Sequence, residues 1–279
     1  MFEETIISFV GSGMMAESMI RGLTAKDSIE PQQIIASGPR VERGEELSRK
    51  YGVKVTTDNK KAAEDGHIVI LSVKPQVLAE VIPDLKGHLR GEDLLISILA
   101  GTPIENIAGQ INHPAVVRAM PNTPAQIGQG ITVWTATPDV GERRSHQAQD
   151  ILASLGQEIY VDDEDYLDMA TALSGTGPAY VFLLMEAMID AGVHMGFSRR
   201  VSSQLVFQTM RGSVEFAEGS GKHVAELRNQ VTSPGGTTAE ALYHMEKGGL
   251  RTVISRGIWA AYQRSVALGR GKRIGDVSG

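Results

Sequence analysis

The strongest constraint on this chain is a change of hydrophobic period partway along it. Over the first ~160 residues, short β-branched runs alternate with stretches of helical period. The candidate strands are Thr5–Val10, Ile34–Ser37, Val53–Thr56, His67–Val73, Leu94–Leu99, Ala115–Ala119 and Ile131–Thr135. Amphipathic stretches such as Met14–Ala25, Val41–Lys50 and Gln76–Leu85 fall between most of them. Strands separated by helices of that length need crossover connections, and crossovers build a parallel sheet. His67–Val73 is almost continuously apolar, which suits a central strand covered on both faces. After Asp162-Asp163-Glu164-Asp165 no convincing strand appears. Tyr166–Leu173, Ala179–Met195, Arg199–Glu218, His223–Gln230, Thr238–Lys247 and Leu250–Leu268 read as helices. Gly175, Gly177, Pro178, Gly196, Gly219, Gly221 and Gly248-Gly249 punctuate them, glycine just past a helix being suited to the left-handed backbone that ends it. The expectation is an α/β fold. A doubly wound, mostly parallel sheet occupies residues 1–162, and an all-α domain occupies residues 163–279.

A chain of 279 residues is long enough for roughly two domains with their own cores. With 33 acidic and 27 basic residues the net charge is −6. That balance argues against a nucleic-acid or anionic-membrane partner, because neutralising phosphates requires clustered Lys and Arg. The basic tail Arg270, Lys272 and Arg273 reads as a solvated segment. The chain has no cysteine. This excludes disulfides, thiolate nucleophiles and cysteine-ligated metals, and fits a cytoplasmic setting. Met1-Phe2-Glu3-Glu4 lacks the basic start and apolar core of a signal peptide. No apolar run is expected to reach the ~20 residues that span a bilayer, because Glu186 and Asp190 interrupt the stretch Tyr180–Met195. The helical half carries wide apolar faces: Val181, Leu184, Met185, Met188 and Ile189 on one helix, Val201, Leu205, Val206, Phe207 and Met210 on the next. Dimerisation through this domain would cover them; the alternative is packing on one another and on the first domain.

Gly11-Ser12-Gly13-Met14-Met15-Ala16 follows the first strand and opens the first helix. This is the G-x-G-x-x-A dinucleotide fingerprint of Rossmann-type folds. Gly11 permits the tight turn, Gly13 lets backbone approach a pyrophosphate, and Ala16 keeps helix and strand close. The helix N-terminus then offers N–H groups and partial positive charge to phosphates. The second strand ends Ala36-Ser37-Gly38-Pro39-Arg40, without the acid that would hold an NAD ribose. Ser37 can hydrogen-bond a 2′-phosphate and Arg40 can pair with it, so NADPH is the expected cofactor, with NADH weaker. Val73, Lys74 and Pro75 follow the fourth strand and are expected near the ribose or nicotinamide. Ala100-Gly101-Thr102 and Met120-Pro121-Asn122-Thr123-Pro124 hold equivalent places after later strands. The cofactor set is therefore Gly11, Ser12, Gly13, Met14, Met15, Ser37, Arg40, Val73, Lys74, Pro75, Ala100, Gly101 and Asn122, with Asn59 added to it.

Two loops are expected in the helical half. One is Leu173-Ser174-Gly175-Thr176-Gly177-Pro178-Ala179-Tyr180. The other is Val231-Thr232-Ser233-Pro234-Gly235-Gly236-Thr237-Thr238-Ala239-Glu240. Thr237-x-x-Glu240 spells a capping box, so a helix starts there. Two glycines ahead of it leave N–H groups approachable by an anion of carboxylate size, and Ser233, Thr237 and Thr238 add hydroxyls.

Ser174-Gly-Thr-Gly-Pro-Ala-Tyr180, Glu186-Ala187 with Asp190-Ala-Gly-Val193, Gly221-Lys-His223 and Gln230-Val-Thr-Ser-Pro-Gly-Gly-Thr-Thr238 resemble the helical domain of pyrroline-5-carboxylate reductases. Phe9-Val-Gly-Ser-Gly-Met-Met15, Val73-Lys-Pro75 and Arg118-Ala-Met-Pro-Asn-Thr-Pro124 resemble the first half of the same family, in collinear order. Thr176 departs from the Ser or Cys more usual there but keeps a hydroxyl. The resemblance implies a homodimer with an interleaved helical domain, and in some members rings of dimers. It implies that Ser233, Gly235, Gly236 and Thr237 hold the substrate carboxylate, that Thr238 lies by the ring nitrogen, and that Thr176 belongs to the substrate site. The reaction would be hydride transfer from NADPH to the C=N bond of 1-pyrroline-5-carboxylate, the last step of proline synthesis. No metal is called for: there is no His-x-x-x-His pair, and the seven histidines are scattered. Rival readings are a related cyclic imine reductase, a β-hydroxyacid dehydrogenase relative and a non-catalytic NADP sensor. The second would want a lysine donor, and neither Lys222 nor Lys247 sits in a motif for one. The third would not need the Ser233–Thr238 loop.

Overall fold

The computed structural model describes residues 2–25 and 29–269. The basic tail lies outside them. The strands are β1 (Ile7–Val10), β2 (Ile34–Ser37), β3 (Lys54–Thr56), β4 (Ile68–Leu71), β5 (Leu94–Ser97), β6 (Val116–Met120), β7 (Gly130–Ala136) and β8 (Gly156–Tyr160). Among them run α1 (Met14–Ala25), α2 (Val41–Tyr51), α3 (Asn59–Asp65), α4 (Leu78–Leu85), α5 (Ile104–Ile111) and α6 (Gly141–Ala153). After β8 come α7 (Asp165–Ala170), a π-helical turn (Thr171–Gly175), α8 (Gly177–His194), α9 (Arg199–Ser220), α10 (Val224–Gln230), α11 (Thr237–Lys247) and α12 (Leu250–Gly269).

The strand order is β3-β2-β1-β4-β5-β6-β7-β8, and every pair is parallel except β6–β7. Order reverses beside β1, which places the crevice of a doubly wound sheet at the carboxyl ends of β1 and β4. Alternation along the strands explains the two covered faces. Ile7, Phe9, Ile68, Ile70, Leu94, Ile96 and Val117 enter one core with Met19, Ile20, Leu23 and Leu47 from α1 and α2 and Ile151 and Leu152 from α6. Val10, Val69, Leu71, Leu95 and Val116 enter the other, with Val81 and Leu85 from α4 and Ile107 and Ile111 from α5. As expected, β4 is buried along its whole length. The β6–β7 connection contains no crossover helix, only a short 3₁₀ turn over Thr123–Ile127, so that pair is antiparallel.

β8 was not among the expected strands. Its sequence, Gly156-Gln-Glu-Ile-Tyr160, is polar because it forms the sheet edge, and it is largely exposed. It begins where Gly156 adopts φ +137° and lies so close to Gly130 that a Cβ would stand 2.2 Å from the Gly130 carbonyl oxygen.

Arg118 on β6 is 3% exposed and organises the surroundings of the sheet. Its guanidinium pairs with Glu164 at 2.7 Å and Asp168 at 3.2 Å. Glu164 also accepts the Ile104 N–H at 2.7 Å, a carboxylate at the start of α5 where the helix dipole favours it. Asp168 accepts the Ser265 hydroxyl from α12 at 2.7 Å. Accordingly, the residues to Thr176 and those from Ala261 form one compact unit, and Gly177–Ala260 forms a second.

The expected loop Leu173–Tyr180 is not a loop. Thr176 N–H donates to the Thr171 carbonyl at 2.8 Å, five residues back, so a π turn carries the helix through the glycines. Asp165–His194 thereby becomes a helical run of 30 residues that contains an 18-residue stretch of mean hydropathy 1.3, long and apolar enough by composition to cross a bilayer. Glu186 and Asp190 interrupt its apolar sequence as expected; what differs is that the helix continues back through Gly177 and Gly175. In the second unit Gly192 on α8 meets Ser202 on α9, where a Cβ would come within 2.7 Å of the hydroxyl. Ile189 and Val206 are buried there, but Phe182, Leu183, Leu205, Phe207, Val214, Phe216 and Trp259 are about half exposed or more. Exposure on that scale marks an interaction surface.

Replacing Arg118 with Met would leave two carboxylates facing each other without their cation. Breaking such a pair destabilises by about 3–5 kcal/mol, and the lower end applies because Glu164 keeps contact with water. Urea unfolding should show a lower midpoint with little change in slope; an unchanged midpoint would mean that the cluster does not hold the unit together.

Candidate active site

The nucleotide end is built on backbone contact. Gly11 has φ +108°, and a Cβ there would stand 2.8 Å from the backbone of Ser72 and Val73. Ser72 N–H donates to the Val10 carbonyl at 2.9 Å, and its hydroxyl donates to the Gly11 carbonyl at 2.7 Å. The ends of β1 and β4 are thus drawn together as the fingerprint requires. Gly13 is different: nothing lies within 4 Å of where its Cβ would be. Its carbonyl accepts the first bond of α1, from Glu17 N–H at 3.0 Å. The missing side chain leaves space directly before a helix N-terminus, the shape and polarity that a pyrophosphate needs. Ala16 is fully buried. A dinucleotide therefore fits the residues present.

The fingerprint turn is held from outside. Gly38, at the end of β2, lies against Ser12, whose hydroxyl would be 2.3 Å from a Cβ at that position. Arg43 on α2 donates from Nε to the Ser12 carbonyl at 3.1 Å and pairs with Glu17. Glu17 also accepts from Lys50 at 2.7 Å and Tyr51 at 2.8 Å. Burial by itself would push the Glu17 carboxyl up, but hydrogen bonds from Lys50, Arg43 and Tyr51 outweigh it and lower it to about 2. Sequence reading missed Arg43 and Glu17. Their partners are 26 positions apart and the pattern of each helix taken alone shows no link between them.

Arg40 is exposed at the start of α2. Ser37 is fully buried and donates its hydroxyl to Asn59 at 2.7 Å, while Asn59 donates to Asp84 at 3.1 Å. Ser37 and Asn59 are therefore brought together, with the Ser37 proton already engaged. Met14 and Lys74 are exposed, and Met15, Val73 and Pro75 are half-buried around the switch point. Ala100 is half-buried, whereas Gly101 is buried against α12, where Leu268 Cβ would lie 3.0 Å from an added Cβ. Asn122 is 9% exposed; it accepts the Ile131 N–H at 3.0 Å and donates to the Ser174 carbonyl at 3.2 Å.

In the second unit, Ser233-Pro234-Gly235-Gly236 forms a tight turn. Gly236 N–H donates to the Ser233 carbonyl at 3.0 Å, Pro234 takes the second place, and Gly235 has φ +67° in the third. This is the pattern of a type II turn. Gly236 caps α11, so the expected capping box does not form. Thr237 is already the first helical residue, and Glu240 pairs instead with His244 at 3.2 Å. Nor are both glycine N–H groups open, since that of Gly236 closes the turn. The first-turn N–H groups of α11, those of Thr237 and Thr238 among them, have no intrahelical acceptor and can face an anion. Thr176, in the first unit, donates its hydroxyl to the Thr171 carbonyl at 2.8 Å.

A fingerprint crevice on a doubly wound sheet, followed by an all-helical unit with an exposed apolar face, is the build of a dinucleotide-dependent oxidoreductase whose helical domain offers a surface to a partner. Residues 6–101 match the family described as NADP oxidoreductase coenzyme F420-dependent, and residues 164–268 match pyrroline-5-carboxylate reductase dimerisation. A pyrroline-5-carboxylate reductase of Pseudomonas aeruginosa is 40% identical over 94% of this chain and 96% of its own length. Human pyrroline-5-carboxylate reductase 2 is 31% identical over 94% of this chain and 83% of its own. The crystal structure of Plasmodium falciparum pyrroline carboxylate reductase with NADP bound superposes with TM-score 0.88, at 32% identity, covering 96% of this chain and 99% of that one. The chain belongs to the pyrroline-5-carboxylate reductase family.

Gly13 offers a clean test of the crevice. In Gly13→Ala the added Cβ enters open space, so stability should fall by no more than about 1 kcal/mol, the usual preference for glycine over alanine at a cap. NADPH affinity should fall at least tenfold, about 1.4 kcal/mol. Fluorescence titration and a melting curve on the same sample check both; unchanged affinity would place the pyrophosphate elsewhere.

Proposed function

We propose that this chain reduces the C=N bond of 1-pyrroline-5-carboxylate to L-proline, preferring NADPH and accepting NADH less well. The observation that carries the reading is the collinear match to pyrroline-5-carboxylate reductases over both compact units. NADPH supplies the hydride. The α1 N-terminus and the space beside Gly13 receive its pyrophosphate. Because the Ser37 hydroxyl is engaged by Asn59, the 2′-phosphate is left to Arg40, with Ser37 and Asn59 as a hydrogen-bonded pair behind it. Ser12, Met14, Met15, Val73, Lys74, Pro75, Ala100 and Gly101 complete the proposed cofactor surround.

The substrate carboxylate is held by the Ser233 hydroxyl and the turn Gly235-Gly236-Thr237, with first-turn N–H groups of α11 pointing their dipoles at the anion. Thr238 hydrogen-bonds the ring nitrogen, and Thr176 contributes a second hydroxyl oxygen to the substrate site. An imine accepts hydride readily only when its nitrogen is protonated or strongly hydrogen-bonded. The residues of the loop provide hydrogen bonds but no strong acid, so the ring arrives protonated from solution and the protein orients the two reactants. Orientation of this kind contributes roughly 7–11 kcal/mol in favourable cases. The exposed apolar face of the helical unit is covered by a second copy of the chain, and dimers assemble into larger rings. On this reading the long apolar helix serves the subunit interface and not a bilayer, the partners include no nucleic acid, and the protein works in the cytoplasm.

NADPH oxidation with pyrroline-5-carboxylate tests the activity; absence of turnover with NADPH still bound would move the chain to another imine or to a sensor. Arg40→Glu should weaken NADPH by more than tenfold and NADH less, about 1.4 kcal/mol of selectivity. Thr238→Ala should lower kcat by roughly 10–100-fold, the effect of one hydrogen bond to a charged group, with NADPH affinity retained. Equal loss of both coenzymes, or unchanged turnover, would remove the respective residue from its role.

A further inference from the structure

We propose that Asn122 is a positioning residue that fastens the π turn to the carboxyl edge of the sheet and so fixes Thr176, without being a ligand of the cofactor itself. The inference rests on the reductase reading and concerns how its site is held. Asn122 lies in the loop after β6, one of the loops that line the crevice of such a sheet. Its amide oxygen accepts Ile131 N–H at 3.0 Å, which ties it to β7. Its amide nitrogen donates to the Ser174 carbonyl at 3.2 Å, which ties it to the π turn. Both ends of the side chain are thus engaged by protein, and the residue is only 9% exposed. The bond polarity fixes the orientation of the amide, because a backbone N–H needs an acceptor and a carbonyl needs a donor.

A second contact makes the same joint. Gly175 faces Met120 at the end of β6, and a Cβ at Gly175 would stand 2.6 Å from the Met120 methyl. The turn itself is wound by hydroxyls that bond back along the helix. Thr171 donates to Leu167 at 2.7 Å, Ser174 to Ala170 at 2.9 Å, and Thr176 to Thr171 at 2.8 Å. Because the Thr176 hydroxyl proton is committed to Thr171, the group has only lone pairs left for a ligand, and it acts as an acceptor of a ligand N–H. A π turn is a local excursion from regular helix and recurs at functional positions. Here it has an external fastener, which an ordinary helical turn would not need.

The test uses the full-length protein. Asn122→Asp keeps the acceptor for Ile131 and removes the donor to Ser174. Gly175→Ala disturbs the Met120 contact and leaves Asn122 untouched. In each variant, without ligand, hydrogen exchange should accelerate at least tenfold in the peptide covering 171–176 and stay unchanged in β1 and β4. NADPH affinity should stay within threefold of the parent, while kcat with pyrroline-5-carboxylate should fall at least tenfold. The double variant should lose less than the product of the single losses, since both break one joint. Exchange unchanged in both variants overturns the proposal. So does loss of NADPH affinity with kcat at saturating NADPH preserved, which would make Asn122 a direct cofactor ligand. If the parent protein reduces no pyrroline-5-carboxylate, the reductase reading fails, and the exchange measurement still decides the joint.

Discussion

The close approach of the ends of β1 and β4 governs the nucleotide half of the molecule. Gly11 rests on the backbone of Ser72 and Val73 with no room for a side chain, and the Ser72 hydroxyl closes the contact. From that contact follow the direction of α1 and the free space beside Gly13. A β-carbon at Gly11 would separate the strands, and one at Gly13 would fill the space without disturbing anything else. The two glycines of the fingerprint therefore do different physical work, one toward the protein and one toward the ligand. Ser12, Gly38 and the Arg43–Glu17 pair then hold the turn from the side of β2 and α2.

The opposite flank of the sheet depends on polar contacts at its carboxyl edge. Arg118 gathers Glu164 and Asp168, and through them the start of α5 and the end of α12. Gly101 allows α12 to pack directly on the loop after β5. Asn122 makes a comparable link from the loop after β6 to the π turn. These contacts explain why the first helical segments after β8 and the last turns of α12 belong to the same compact unit as the sheet. A buried cation of this kind is held by its partners; removing one side leaves an uncompensated charge, so the cluster behaves as a unit.

The helical unit has the opposite character. Gly192 and Ser202 bring α8 and α9 together, but much of the apolar surface on those helices and on α12 remains open. Apolar area left exposed is stabilising only when something covers it. A dimerisation domain and an exposed apolar face are the same observation seen from sequence likeness and from packing. The Ser233–Gly236 turn sits on this unit, with proline and glycine placed where its geometry requires them.

The sequence by itself determined the layering, the crevice and the order of the helices, because each rests on short-range pattern. The apolar run His67–Val73 suited an interior strand, and Gly11-Ser-Gly13, placed between a strand pattern and a helix pattern, suited a turn joining them. The edge strand β8 escaped notice because an exposed edge tolerates polar residues and leaves no apolar alternation to read. The segment Leu173–Tyr180 was taken for a loop on its glycines, yet its start belongs to a π turn over Thr171–Gly175 and its end to α8. Thr237 and Glu240 have the spacing of a capping box, but the helix starts one residue earlier than the box needs, at Thr237 with Gly236 as its cap. Ser37 was legible as a hydroxyl near the ribose, while its engagement by Asn59 was not. Asn59, Arg43, Glu164 and Asn122 find partners 22, 31, 46 and 52 positions away. Periodicity reports which face of an element is buried. Which polar groups meet across the molecule is decided only when the elements pack, because that pairing depends on three-dimensional distance and on satisfying every buried donor and acceptor.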